Sequence, residues 1–105
     1  MVQYCVYKNK NTQSKKIYPY LLDVQSELLS NLDTRLVIPL ALKGTFGNQP
    51  IKNLNPQLVI NQKEYIILTQ QMAAIPVRFL GEEVCDCDRE RNEILSAIDF
   101  LITGF

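Results

Sequence analysis

Cysteine has the widest chemical range of any residue type in this chain. Cys5 stands alone, and Cys85-Asp86-Cys87 forms a C-x-C pair. Two thiols so close in sequence could hold a soft metal or cycle as a disulfide. A structural zinc site needs four Cys or His ligands, and the chain has three cysteines and no histidine. The pair is therefore read as plain thiols near a helix start, and no metal site is expected. An odd cysteine count makes no disulfide framework and fits a reducing compartment, so the cytoplasm is the expected location.

The absence of histidine also removes Ser-His-Asp and Cys-His nucleophile systems and any His general base. The four glycines, at 44, 47, 81 and 104, build neither a Walker A loop nor a G-x-G-x-x-G turn, so no cofactor is expected. Lys8, Lys10, Lys15 and Lys16 read as a hairpin tip kept soluble by charge. Gln70 and Gln71 read as turn polarity. Asp23, a lone acid inside "LLDVQS", reads as the solvent-facing position of an alternating strand, with an interface salt bridge or hydrogen bond as the sharper option.

Such residues need elements to position them. "QYCVY" (Gln3 to Tyr7) and "IYPYLLDVQS" (Ile17 to Ser26) read as strands around a polar loop, Lys8 to Lys16. Glu27 to Arg35 is a connection rich in turn residues. "LVIPLAL" (Leu36 to Leu42) reads as a buried strand in which Pro39, lacking an N–H, implies a bulge or an edge. Lys43 to Gln57 reads as a long loop or small hairpin. Leu58 to Thr69 is the clearest hairpin signal, two β-rich runs joined by "NQKE". A further strand is expected around Pro76 to Leu80, and "GEEVCDCDRERNE" reads as a solvated loop leading into a helix.

From Cys87 onward the period becomes helical. Ile94, Ile98 and Ile102 fall at i, i+4 and i+8, with Leu95 and Leu101 beside them. Ile94, Leu95, Ile98 and Ile102 are the expected core stripe, Asp86 or Asp88 the expected cap, and Gly104 the residue closing the helix. Phe100 falls on the side opposite Ile98 and Ile102. Phe100, Leu101 and Phe105 thus make the helix apolar on more than one side, which asks for a covering partner, for instance a second copy of the chain.

With 105 residues, the chain is expected to be a single α+β domain spanning 1–105, an antiparallel sheet followed by one C-terminal helix. Its eleven Lys and Arg balance eleven Asp and Glu. Nucleic acid, which is normally held by clustered cations, is thus not expected as the main partner. No apolar run is long enough for a membrane span, and the first residues lack the pattern of a signal peptide.

The segments "QYCVYKN", "DVQS", "R-LVIPLA", "TQQMAAIPV", "GEEV", "RNEI" and "AIDFLITGF" occur in an order that resembles the CcdB family from about residue 3 to the last residue, with Gly44 to Asn55 unmatched. The resemblance implies an SH3-like barrel of the CcdB/MazF/Kid type, with a small appended sheet and a C-terminal helix. It also implies a symmetric homodimer that is not an enzyme. Such a protein would be the toxin of a type II toxin–antitoxin pair. It would bind the A subunit of DNA gyrase and trap the cleaved gyrase–DNA complex. A CcdA-like antitoxin would neutralise it and, with it, bind DNA to repress their operon. By position the resemblance assigns gyrase contact to Thr103, Gly104 and Phe105, together with Ile102, Asp99, Gln3, Tyr4, Ser26, Leu28 and Leu29. The family pattern ends Trp-Gly-Ile where this chain ends Thr-Gly-Phe, and Asp99 stands where the pattern has Asn. Two alternatives stay open: a ribonuclease toxin of the same fold, and a non-toxic homologue that binds only an antitoxin.

Overall fold

In the computed structural model, which describes residues 1–45 and 49–104, the β-rich runs form seven strands of one antiparallel sheet. They are β1 (Cys5–Asn9), β2 (Tyr20–Asp23), β3 (Thr34–Leu42), β4 (Gln57–Ile60), β5 (Lys63–Ile67), β6 (Ala73–Pro76) and β7 (Leu80–Asp86), followed by helix α1 (Arg91–Thr103). The order across the sheet is β4-β5-β3-β2-β1-β7, and β6 also lies on β3. The architecture is α+β as expected, and the appended β4–β5 hairpin is hydrogen-bonded to the rest through β3.

Strand β3 explains how the sheet tolerates Pro39. One edge pairs with β2, from Tyr20↔Leu40 to Asp23↔Val37. The other edge is shared, with Thr34 to Val37 facing β6 and Leu40 to Leu42 facing β5. Pro39 falls at the seam between those two partners, where a missing N–H breaks no rung; its carbonyl still accepts from the Leu68 amide at 3.0 Å. Strands β2 and β5 flank β3, and their rings Tyr20 and Tyr65 meet over it edge to face, 5.1 Å between centroids. The sheet is therefore curled around a core of Val6, Leu22, Ile38, Leu40, Ile67 and Ile94. Residues of the opposite parity, Cys5, Tyr7, Leu21 and Val37, form a second cluster with Leu80 on the other face.

The expected hairpin at Leu58 to Thr69 is β4–β5. Its turn is shorter than "NQKE": Asn61 and Gln62 alone make it, both at positive φ (50° and 68°), while Lys63 and Glu64 enter β5. Two segments depart from the sequence reading. The strand expected around Pro76 to Leu80 is instead a tight turn at Val77–Phe79 between β6, which ends at Pro76, and β7, which begins at Leu80. "GEEVCD", read as loop, is edge strand β7 on β1, with two register shifts; a strand exposed on one side and at its edge can be charge-dense and still pair.

The helix also differs in detail. Ile94 and Ala97 are its buried residues and Ile98 is half-buried, whereas Leu95 is 44% exposed and Ile102 70% exposed. The inward line runs 94, 97, 98, so the small Ala97, not Leu95, takes a buried position. Neither Asp86 nor Asp88 caps α1. The cap position is Glu90, whose side chain makes no capping bond, while Asp86 Oδ1 accepts from the Asp88 amide at 2.8 Å in the preceding turn. Gly104 closes the helix as expected, with φ 79° and its N–H donating to Phe100 O at 2.9 Å. No helix among the described residues is long and apolar enough to cross a membrane.

Candidate functional site

The residues assigned to partner contact fall into two groups. One is the end of α1. Asp99, Ile102, Thr103 and Gly104 are all exposed, and Phe105 lies outside the described residues. Thr103 Oγ1 donates back to Asp99 O at 2.7 Å, which turns the hydroxyl inward and leaves the Ile102 side chain as the apolar tip. No basic residue lies in the last turn. The negative end of the helix dipole and the Asp99 carboxylate thus add up. The tip is apolar with an electronegative rim, suited to a surface that offers apolar area and hydrogen-bond donors.

The second group surrounds the exit of β2. Gln3, half-buried, donates from Nε2 to Val24 O at 3.1 Å. Tyr4 donates its N–H to Asp23 O and accepts from the Cys87 amide at 2.7 Å. Its φ is 65°, unusual for a side chain of that size, and its ring is packed into the main core, 8% exposed. Ser26 caps a single helical turn, Glu27–Leu29, by accepting the Leu28 N–H at Oγ, 3.2 Å. Leu28, 94% exposed, and Leu29, 50% exposed, stand out from that turn.

Beneath this turn lies a buried polar network that corrects the reading of Asp23. Asp23 is not solvent-facing: it is fully buried, and Arg35 grips it with Nε on Oδ2 at 2.7 Å and Nη2 on Oδ1 at 3.0 Å. Alternation misled because β2 is covered on both faces. Gln25, which the sequence reading passed over, completes the network. Its N–H donates to Asp23 Oδ1, its Oε1 accepts from the Leu36 N–H, and its Nε2 donates to Leu29 O. Gln25 lies beyond the end of β2, in the bend that follows it, where strand parity gives no signal.

Phe100 does not project freely. It is half-buried beside an open cleft of about 790 Å³, between α1 and the Asn53–Pro56 segment, that also touches Asn55, Asn92, Ser96 and Gly104. Lys8, Lys10, Lys15 and Lys16 flank one shallow recess, and Lys8 meets Glu82 at 3.2 Å. The three cysteines are free thiols. Burial, then the nearby Glu83, pushes Cys5 up to about 11; burial likewise raises Cys85 and, further, Cys87. Thiols held protonated are poor nucleophiles, in keeping with the plain-thiol reading.

A curled antiparallel sheet with one C-terminal helix, offering apolar side chains at the helix end and on the Glu27–Leu29 turn, has the form of a protein-binding domain. The family model described as CcdB protein matches residues 3–104, nearly the whole chain. The chain belongs to the CcdB family, the toxins of toxin–antitoxin pairs.

Proposed function

We propose that this toxin acts by binding, without chemistry of its own. Its target is the A subunit of DNA gyrase, on which it traps the cleaved gyrase–DNA complex. It works in the cytoplasm as a symmetric homodimer that a CcdA-like antitoxin neutralises, and it meets operator DNA through that antitoxin complex. The observation that carries this reading is the end of α1. Ile102 is 70% exposed there beside exposed Thr103 and Gly104, an apolar tip that a two-fold axis would double into one compact hot spot. The absence of histidine and the raised thiols support action by contact over catalysis.

The test is a gyrase cleavage assay with supercoiled DNA and ATP, run beside a chain lacking Gly104 and Phe105. Linear DNA accumulating with the full chain and not with the truncated one is expected. Cleavage of RNA by the pure protein with gyrase unaffected would replace this reading by the ribonuclease one. Antitoxin binding without either effect would leave a non-toxic homologue.

A further inference from the structure

The Glu27–Leu29 turn buries none of its three residues, so it has no apolar anchor of its own, yet it displays two leucines. An unanchored surface turn samples many conformations, and ordering it on binding lowers affinity. Ser26 caps it locally, but the side-chain hydrogen bond that ties it to the sheet comes from Gln25, which is 7% exposed. We propose that Gln25 is a positioning residue for partner binding: it fixes Leu28 and Leu29 in their binding conformation, with the Asp23–Arg35 pair as its base. This rests on the reading of those leucines as partner contacts.

The geometry shows how one side chain does this. The β2–β3 ladder continues past Asp23 as far as the Val24 N–H on Leu36 O at 2.9 Å. The chain then leaves the sheet, and the Leu36 N–H would lose its acceptor. Gln25 Oε1 takes that place at 2.9 Å, as a side-chain rung of the ladder. The same carboxamide donates from Nε2 to Leu29 O at 3.0 Å. A single planar group therefore ties the last residue of the turn to a backbone amide of β3. The main chain of Gln25 is clamped too, its N–H on Asp23 Oδ1 at 2.9 Å and its carbonyl accepting from Arg35 Nη2 at 3.4 Å. Arg35 and Asp23 are buried and doubly hydrogen-bonded to each other, so their position is passed through Gln25 to Leu29.

Gln25→Met keeps the length and loses both carboxamide bonds. Gln25→Glu, the conservative partner, keeps the acceptor for Leu36 and loses the donor to Leu29. Backbone hydrogen exchange by NMR reads the turn directly, with the full chain at a temperature where every variant is folded. In Gln25→Met the amides of Leu28, Leu29, Ser30 and Leu32 should exchange about tenfold faster, the equivalent of two net hydrogen bonds, while those of Val6, Leu22 and Ile38 change little. Gln25→Glu should loosen the turn alone and leave the Leu36 amide protected. Affinity for the gyrase A subunit should fall about tenfold in Gln25→Met, in the same direction as in Leu28→Ala.

Unchanged exchange in the turn, or faster exchange everywhere alike, would overturn the positioning role. So would a loosened turn with unchanged affinity where Leu28→Ala binds weakly. A wild-type chain that binds no gyrase, with exchange responding only in the turn, would refute the gyrase reading and the binding role built on it, and leave Gln25 as the anchor of the turn alone.

Discussion

Removing the Asp23 carboxylate should be among the most damaging single changes this domain can suffer. In Asp23→Ala, Arg35 loses its bonds of 2.7 and 3.0 Å and the Gln25 N–H loses its 2.9 Å acceptor, all in a buried setting. Breaking a buried ion pair by deleting one partner costs about 3–5 kcal/mol, because the surviving charge stays out of water. A domain of this size is stable by only about 5–15 kcal/mol, so the loss takes a large share. The assay is urea denaturation followed by circular dichroism. With a slope of about 1–3 kcal/mol per molar urea, the midpoint should drop by about 1 M or more. Asp23→Leu combined with Arg35→Met removes both charges. It should cost far less than the two single changes added together, leaving chiefly the unpaired Gln25 amide at about 1–3 kcal/mol. A single-variant loss under about 1 kcal/mol, the size of a surface ion pair, would refute the reasoning, as would additivity of the two.

Ile94, with no exposed surface, should cost about 2–5 kcal/mol as Ile94→Ala, measured in the same denaturation experiment. Ile102→Ala, at a position 70% exposed, should leave stability within about 0.5 kcal/mol but weaken gyrase binding by about tenfold or more in titration calorimetry. The raised thiols fix a sign for alkaline pH. A thiol that ionises near 9 when unfolded and is pushed to about 11 at Cys5 when folded binds its proton more tightly in the native state. Its stabilising contribution is complete below pH 9 and is lost as the pH rises towards 11. Denaturation midpoints should therefore fall across that window, and by less in Cys5→Ala and Cys87→Ala.

How much of this was legible in sequence depended on whether one face or two were covered. In the β4–β5 hairpin only β4 alternates, with Leu58 and Ile60 buried and Val59 69% exposed, while β5 buries Tyr65, Ile66 and Ile67 in succession; two β-rich runs around a polar turn gave it away. Strand β2 packs on both faces, so Leu21, Leu22 and Asp23 are all buried and parity says nothing about solvent. Only the matching cation twelve residues on could have exposed the pair, and nothing local points from Asp23 to Arg35. Edge strand β7 failed for the opposite reason: solvent on its free side permits Glu82 and Glu83, which look like loop. In α1 the stripe was visible but its rotation was not, because Ala97 carries no signal to outweigh Leu95 until the sheet is there to choose. The helix end and the Ser26–Leu29 turn were found through family likeness. Gln25 was missed because an amide between two strands looks like any other polar residue until its four partners are seen.

The sheet order carries a consequence for how the protein is made. Strand β1 lies between β2 and β7, so Cys5 pairs with Asp86, and the main core is closed by Ile94. The earliest strand to leave the ribosome must wait for one of the last. At about 5–20 residues per second, the interval between those two residues is roughly 4–16 s, during which no shorter nascent chain can complete the sheet. Pairings this distant in sequence also fold slowly once available. The exposed tip of α1 comes later still. A chain that stops before Asp86 lacks the β1–β7 pairing and the Ile94 side chain that closes the main core, and one that stops before Ile102 lacks the exposed end of α1.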